Sequence, residues 1–273
     1  MENKLEDHDY TVVYSGDETD FRKKEIGLTL IDQLELSVST LRKNWSARVR
    51  VVFIHTQSLS SSTAQRLSAL NIEPVYISFR PIAEFPIANK LNVGRLHVKT
   101  PYILFLDCDT IIHQPVQLVG GNDILIAYDA LLSLPRQDMT AVEEILEIPP
   151  IQGKWPESPA FEYYNDRASN LVPSFNSGVI LVRTEIQQEF YNTWEAWTKK
   201  LFPVFQSASW NFYIEQLACC MTVFHGKWNW GILPKGYNFI CTVRAPFLRD
   251  WPKNQVVIEH YAGNNSTPST KQG

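Results

Sequence analysis

The stretch that most constrains this chain is a run of five large apolar residues, 102–106, that leads directly into Asp107-Cys108-Asp109. A short uninterrupted apolar run is typical of a strand buried on both faces, as in a parallel sheet covered by helices. Because strand side chains alternate, Asp107 and Asp109 should lie on the same side. Two such carboxylates repel each other and lose hydration, and a hard divalent cation relieves both costs. The pattern therefore predicts a metal site, although an isolated pair can also be two surface aspartates at a turn.

Strand and helix patterns alternate ahead of this stretch. The predicted strands and helices are, in order, a strand at 10–15, a helix at 20–44, a strand at 48–56, a helix at 61–71, a strand at 74–78 and a helix at 87–98. This alternation predicts an α/β fold with a mostly parallel central sheet flanked by helices, in a single domain that spans residues 1–273. Open sheets of this kind bind ligands beyond the carboxyl ends of their strands, where the aspartates lie.

The alternation stops after a further predicted strand at 123–128. Residues 130–173 are rich in proline and aromatic residues, with one predicted helix at 138–148, and such an insertion is typical of a lid or an acceptor loop. The remaining predicted elements are strands at 179–182 and 255–258 and helices at 184–201 and 210–223. The polar tail at 264–273 is predicted to be mobile.

Composition and missing motifs exclude several classes of protein. A net charge of −4 with 20% charged residues argues against a nucleic-acid partner and against a polybasic membrane anchor. The dinucleotide fingerprint, the phosphate-binding P-loop and the nucleophile elbow of hydrolases are all missing. The sequence has no apolar run of membrane-spanning length and no signal sequence, so we expect no transmembrane segment. We expect a cytoplasmic protein, either free or peripheral at the membrane surface.

Other polar residues occur where they could serve the same site. Asn176, in Asn176-Ser177-Gly178 ahead of a predicted strand, can donate and accept at once, which suits recognition of a hydroxyl group, or it can simply shape a turn. Glu215-Gln216 lies in the first half of a predicted helix, where such pairs are usually solvated.

A histidine and a glycine follow the last predicted strand. His260 follows that strand, and in a chain that already has an aspartate pair it is a candidate third metal ligand. Gly263 has no side chain and would let the backbone come close to a phosphate group.

Together these motifs resemble the retaining GT-A glycosyltransferases, the group that includes glycogenin and the bacterial lipopolysaccharide galactosyltransferases. The motifs that carry the resemblance are Leu106-Asp107-Cys108-Asp109-Thr110, Phe175-Asn176-Ser177-Gly178-Val179, Glu215-Gln216, Leu233-Pro234 with Tyr237-Asn238, and His260-Tyr261-Ala262-Gly263. They occur in the family's order, and the resemblance covers roughly residues 10 to 264.

The resemblance implies a sugar transferase of polysaccharide biosynthesis that uses a UDP-sugar donor, a glycan or lipid-linked saccharide acceptor, and Mn²⁺ or Mg²⁺, with retention at the anomeric carbon. It implies Asp107, Asp109 and His260 as metal ligands, and Glu215 and Gln216 as catalytic residues. The implied donor-binding residues are Tyr14, Ser15, Lys90, Asp107, Asp129, Asn176, Ser177 and Gly263.

Two departures from the family pattern keep other functions open. The family usually has aspartate where this chain has Glu215, and a lysine where it has Ser266. An inactive nucleotide-sugar-binding protein is therefore one alternative. The pair Asp107 and Asp109 also resembles the first motif of haloacid-dehalogenase-type phosphatases, in which Asp107 would be the nucleophile.

Overall fold

A computed structural model of the chain describes residues 10–19, 28–45, 48–116, 121–150, 171–208, 211–240 and 252–261, with the backbone alone at 128–138, 171–174, 212, 235, 240 and 253. The strands are β1 Tyr10–Ser15, β2 Val49–His55, β3 Glu73–Tyr76, β4 Tyr102–Leu106, β5 Thr110–Ile112, β6 Ile124–Pro135, β7 Leu171–Arg183, β8 Trp230–Ile232, β9 Phe239–Ile240 and β10 Ile258–His260. The α-helices are α1 Leu30–Asn44, α2 Ser61–Ala69, α3 Arg136–Leu146, α4 Gln187–Phe205 and α5 Ile214–His225. Short 3₁₀ segments lie at Pro86–Arg95, Thr184–Ile186, Asn211–Tyr213, Lys235–Asn238 and Lys253–Gln255.

The central sheet has the strand order β3-β2-β1-β4-β7-β6-β8. Neighbouring strands are parallel except where β7 pairs with β4 and with β6. A second, small sheet has the order β5-β10-β9. The predicted α/β fold with a mostly parallel central sheet flanked by helices is confirmed.

The core forms two layers, one on each face of the central sheet. In β4, Leu104 and Leu106 pack in the layer under α1 and α2, while Ile103 and Phe105 pack in the layer under α4 and α5. The apolar run ahead of the aspartates is therefore buried on both faces, as its composition predicts.

Helix α1 begins later than the predicted start at residue 20. Thr29 caps it: the Thr29 hydroxyl accepts from the Asp32 backbone N–H, and the Asp32 carboxylate accepts from the Thr29 backbone N–H. This reciprocal capping box satisfies two backbone donors and fixes the helix start at Leu30. Residues 20–27 lie outside the described ranges.

The segment before β4 is a 3₁₀ helix rather than the predicted α-helix. It runs from Pro86 to Arg95, and its residues 88–94 are all buried. Proline, two asparagines and a glycine disfavour an α-helix. Gly94 also allows α4 to come close, because an added Cβ would lie 2.6 Å from the Cβ of Tyr191.

Strands β6 and β7 are longer than their sequence patterns predict. They pair in antiparallel fashion out to Pro135 opposite Leu171, with register shifts between Ile126 and Ala127 and between Asp129 and Ser133. The shifts accommodate residues that usually end strands. The described residues form a single α/β domain. Its bounds at 1–273, the lid at 130–173 and the mobile tail at 264–273 stay predictions, because residues 151–170 and 262–273 lie outside the described ranges.

The position of the last strand also differs. The last strand, β10, is Ile258–His260 rather than 255–258, so His260 lies within the strand instead of after it.

None of the helices in the described ranges is both long and apolar enough to cross a membrane.

Candidate active site

Three predicted metal ligands meet where β4 ends. Asp107 and Asp109 lie between β4 and β5, and β10 pairs with β5 so that His260 is opposite Thr110. His260 Nε2 lies 3.1 Å from Asp109 Oδ1 and 3.8 Å from Asp107 Oδ2, and the three ligand atoms are all within 4.8 Å of one another. The small sheet is thus what brings a residue near the end of the chain to the aspartate pair.

A further hydrogen bond sets the direction of His260. Its Nδ1 lies 3.0 Å from the side-chain oxygen of Asn238, which accepts the Nδ1 proton. With the proton on Nδ1, the Nε2 lone pair is available for a cation that the two carboxylates also bind, the usual arrangement of a metal-binding histidine. Two carboxylate oxygens and one imidazole nitrogen form a donor set that fits Mn²⁺.

Gly178 leaves the space that this cluster needs. Its carbonyl accepts from the Asp107 backbone N–H at 2.8 Å, which holds β7 against the end of β4. An added Cβ at this position would lie 2.6 Å from His260 Cε1 and 2.7 Å from Asp107 Oδ2. The close approach of β7 to both ligands is the physical reason for a glycine here.

Beside the aspartates lies a buried polar network. Lys90 Nζ lies 3.2 Å from Asp107 Oδ1 and 3.8 Å from Glu215 Oε2, and it donates to Ser177 Oγ at 3.1 Å. Ser177 in turn donates to Glu215 Oε2 at 3.1 Å. The structure therefore brings together Lys90, Ser177 and Glu215, which are predicted site residues from three separate elements.

No protein-family model and no curated protein sequence matches the chain. Among solved structures, it is similar to the galactosyltransferase LgtC in complex with donor and acceptor sugar analogues, with a TM-score of 0.59 and 15% identity over 93% of this chain and 87% of that one. The glycosyltransferase GlyE of Streptococcus pneumoniae TIGR4 has a TM-score of 0.53 and 16% identity, over 93% of this chain and 55% of that one. Mouse xyloside xylosyltransferase 1 also has a TM-score of 0.53 and 16% identity, over 95% of this chain and 99% of that one. The chain has the GT-A glycosyltransferase fold.

Within this GT-A fold, Asn176 and Gln216 are neighbours. Asn176 Nδ2 donates to Gln216 Oε1 over a long 3.4 Å, and Asn176 Oδ1 accepts from the Gly178 N–H at 2.9 Å. Both side chains are buried, and Asn176 Oδ1 lies, like Asp107 Oδ2 and His260 Cε1, within 2.9 Å of the place that a Cβ on Gly178 would take. Their predicted contact with a sugar stays a prediction.

The side chain of Tyr14 packs in the core. Its side chain is fully buried on the α1 face of the GT-A sheet, and its hydroxyl lies 2.9 Å from Ser37 Oγ. Ser37 Oγ lies 2.9 Å from Thr110 Oγ1, which donates to the Asp107 carbonyl at 2.9 Å. Burial raises the pKa of the Tyr14 phenol well above its ordinary value. The phenol of Tyr14 therefore belongs to a buried chain of hydroxyl groups that supports the aspartate pair, and the donor contact of this residue stays a prediction.

We expect Tyr14→Phe to lower the free energy of unfolding by about 1–2 kcal/mol, because Ser37 loses a buried hydrogen-bond partner. Urea denaturation measures this change. Nucleotide binding should be unaffected, since the phenol faces the core. Weaker UDP binding at unchanged stability would instead support a contact between the Tyr14 phenol and the donor.

Ser15 and Asp17 lie at the end of β1, on the same edge of the GT-A sheet. The Ser15 hydroxyl is buried and has no hydrogen-bond partner among the described residues, so it stays a predicted donor contact. Asp17, which the sequence analysis missed, is buried and accepts from the Thr56 and Gln57 backbone N–H groups at 2.6 and 3.0 Å. It also accepts from Arg80 at 3.2 Å and so fixes the ends of neighbouring strands.

Two predicted donor-binding residues cannot be placed. Asp129 lies on β6 opposite Ser174, and its side chain is outside what the structure describes. Gly263 also lies outside the described residues. Both stay predictions.

Proposed function

We propose that this chain is a metal-dependent glycosyltransferase that moves a sugar from a UDP-sugar to a glycan or lipid-linked saccharide, with retention at the anomeric carbon. The observation that carries the proposal is the cluster of Asp107, Asp109 and His260 in a GT-A fold. It lies beyond the carboxyl end of a buried central strand, where sheets of this kind bind ligands.

A divalent cation held by Asp107, Asp109 and His260 would stabilise the negative charge that builds up on the nucleoside diphosphate as it leaves. The residues around the cluster hold its three side chains in position. Asn238 orients the imidazole, and Gly178 leaves room beside it. The buried hydroxyl chain from Tyr14 to Thr110 holds the Asp107 carbonyl.

The sugar would bind next to the cluster, on the side of Asn176 and Gln216. An amide both donates and accepts, so these two residues can bind sugar hydroxyl groups. Glu215 is 2% exposed, and its carboxylate already accepts from Ser177. That burial favours an indirect part in the reaction over the direct catalytic role that the family resemblance implies. Retention by front-face attack needs no separate general base, and none is proposed.

The alternatives are less well supported. A phosphatase that uses Asp107 as nucleophile has no counterpart among the solved structures compared above, which are glycosyltransferases. An inactive binding protein would have the same cluster and differ only in turnover.

Thermal unfolding tests the proposal with UDP, UDP-glucose and UDP-galactose, each with and without Mn²⁺. We expect a higher melting temperature only when nucleotide and Mn²⁺ are present together, because a ligand of the folded state stabilises it by mass action. We also expect release of UDP from one UDP-sugar when an acceptor is supplied.

The outcomes separate the three functions. A shift without turnover of any UDP-sugar would indicate a binding protein. Release of phosphate from a phosphomonoester, with no nucleotide shift, would support the phosphatase and overturn the proposal.

A further inference from the structure

The Lys90 ammonium is a buried charge that two carboxylates share. Lys90 is 7% exposed, and its Nζ lies 3.2 Å from Asp107 and 3.8 Å from Glu215. It also donates to Ser177 and lies 5.3 Å from the centre of the Phe105 ring. Of the three donor hydrogens of the ammonium, two have a partner within hydrogen-bond distance, in Asp107 and Ser177, while Glu215 lies at ion-pair distance. The arrangement favours a supporting role for Lys90 over direct contact with the donor.

The two carboxylate oxygens of Asp107 face different partners. Oδ1 faces Lys90, whereas Oδ2 lies 3.8 Å from His260 Nε2 and points into the cluster. Lys90 therefore fixes the rotamer of a predicted metal ligand. A positive charge beside a ligand also weakens cation binding, both by repulsion and by competition for the carboxylate. The cation affinity then depends on how much of the Lys90 charge is balanced elsewhere.

Glu215 provides that balance as the second carboxylate beside Lys90. An almost fully buried carboxylate must be paired or hydrogen-bonded, and its Oε2 faces both Lys90 and the Ser177 hydroxyl. Ser177 accepts from Lys90 and donates to Glu215, so one hydroxyl joins the two charges. Ser177 lies where β7 bulges, because the consecutive β6 residues Ile126 and Ala127 pair with Ile180 and Asn176 of β7. Bulges of this kind redirect side chains next to functional sites.

We propose that Ser177 and Glu215 are positioning residues that set the cation affinity of the site through Lys90. Glu215 balances the Lys90 charge, so that Asp107 keeps its own negative charge for the cation. Ser177 holds Lys90 and Glu215 at a fixed separation. The inference rests on the cation site of the proposed function and assigns to Glu215 a task that does not require contact with the sugar.

Titration of the full chain with Mn²⁺ alone, followed by the electron paramagnetic resonance signal of free Mn²⁺, tests this without any turnover. We expect Glu215→Gln to weaken Mn²⁺ binding on the order of tenfold, because Asp107 is then the one carboxylate of the pair left to balance the Lys90 charge. Glu215→Asp keeps the charge and should stay close to the wild type. Ser177→Ala should weaken binding by about threefold, since a buried bridging hydrogen bond is lost.

Glu195→Gln is the matched control. Glu195 is also buried and pairs with two cations, Arg95 and Lys199, each at 2.6 Å, but on α4 and outside the cluster. It should leave the Mn²⁺ affinity unchanged. Urea denaturation of every variant shows whether the fold is intact.

Three outcomes would overturn the inference. Wild-type affinity in Glu215→Gln, together with loss of binding in Asp109→Asn, would reject it and leave the proposed cation site standing. Equal losses in Glu215→Gln and Glu215→Asp would mean that side-chain shape, rather than charge, is what matters. A wild-type chain that binds no Mn²⁺ would reject both the inference and the proposed cation site.

Discussion

Asp109→Asn is expected to abolish Mn²⁺ binding and, with it, the release of UDP from a UDP-sugar. Asp109 offers one of three ligand atoms that lie within 4.8 Å of one another, and its Oδ1 is 3.1 Å from His260 Nε2. A neutral amide oxygen binds a divalent cation far more weakly than a carboxylate does. We expect the affinity to fall by roughly a hundredfold or more, beyond what loss of a supporting residue around a metal site usually costs. Calorimetric titration with Mn²⁺ and a coupled assay for UDP measure the two effects.

Stability separates this loss from misfolding. Asp107 and Asp109 repel each other when no cation is present, so removal of one charge should not lower the melting temperature in a chelator. Asp123→Asn is the matched control, because Asp123 accepts from the Asn229 backbone N–H ahead of β6, away from the cluster. It should keep Mn²⁺ affinity and turnover. Turnover by Asp109→Asn at the wild-type rate would remove the cation from the proposed mechanism.

The parts of the site that the sequence predicts well are those that local pattern controls. The run 102–106 is apolar at every position, and it forms β4 over the predicted residues because both faces of the strand are buried. Asp107 and Asp109 follow from that strand. His260 was predicted as the third ligand, although its strand lies two or three residues later than expected.

Contacts between distant segments explain most of what was missed. Strand β1 is buried on both faces, although one face carries Thr11 and Ser15, so its sequence does not tell which way Tyr14 points, and the packing of α1 decides this. Asp129 and Pro173 are typical of strand ends, yet β6 and β7 continue past them because they pair with each other.

Glu215 shows the same limit at a single position. A polar pair near a helix start is usually solvated, although residues 217–224 are apolar except for Thr222, a pattern typical of a helix buried on all sides. What buries it is the approach of Lys90 and Ser177 from two other elements. Pattern along one helix carries no information about such partners.

Gly178→Ala should weaken Mn²⁺ binding at least about tenfold through a single methyl group placed between the ligands. The backbone tolerates alanine, because Gly178 is outside the left-handed region, so the effect is one of space alone. The methyl group would lie 2.6 Å from His260 Cε1, 2.7 Å from Asp107 Oδ2 and 2.9 Å from Asn176 Oδ1. These side chains must move apart, which should also cost about 1–3 kcal/mol of stability, as overpacking usually does.

Gly231→Ala separates crowding in general from crowding of the ligands. Gly231 lies on β8, the edge strand farthest along the central sheet from β3, and an added Cβ there would lie 2.7 Å from Asn122 Nδ2 and 3.0 Å from Leu125 Cδ2. Urea denaturation should show a similar loss of stability in both variants, while calorimetric titration should show weaker Mn²⁺ binding in Gly178→Ala alone. If Gly178→Ala binds Mn²⁺ as the wild type does, the cation does not lie between Asp107 and His260, and the ligand set would have to be assigned again. If both variants lose affinity in step with stability, the cluster responds to general strain and the space left by Gly178 has no special part in cation binding.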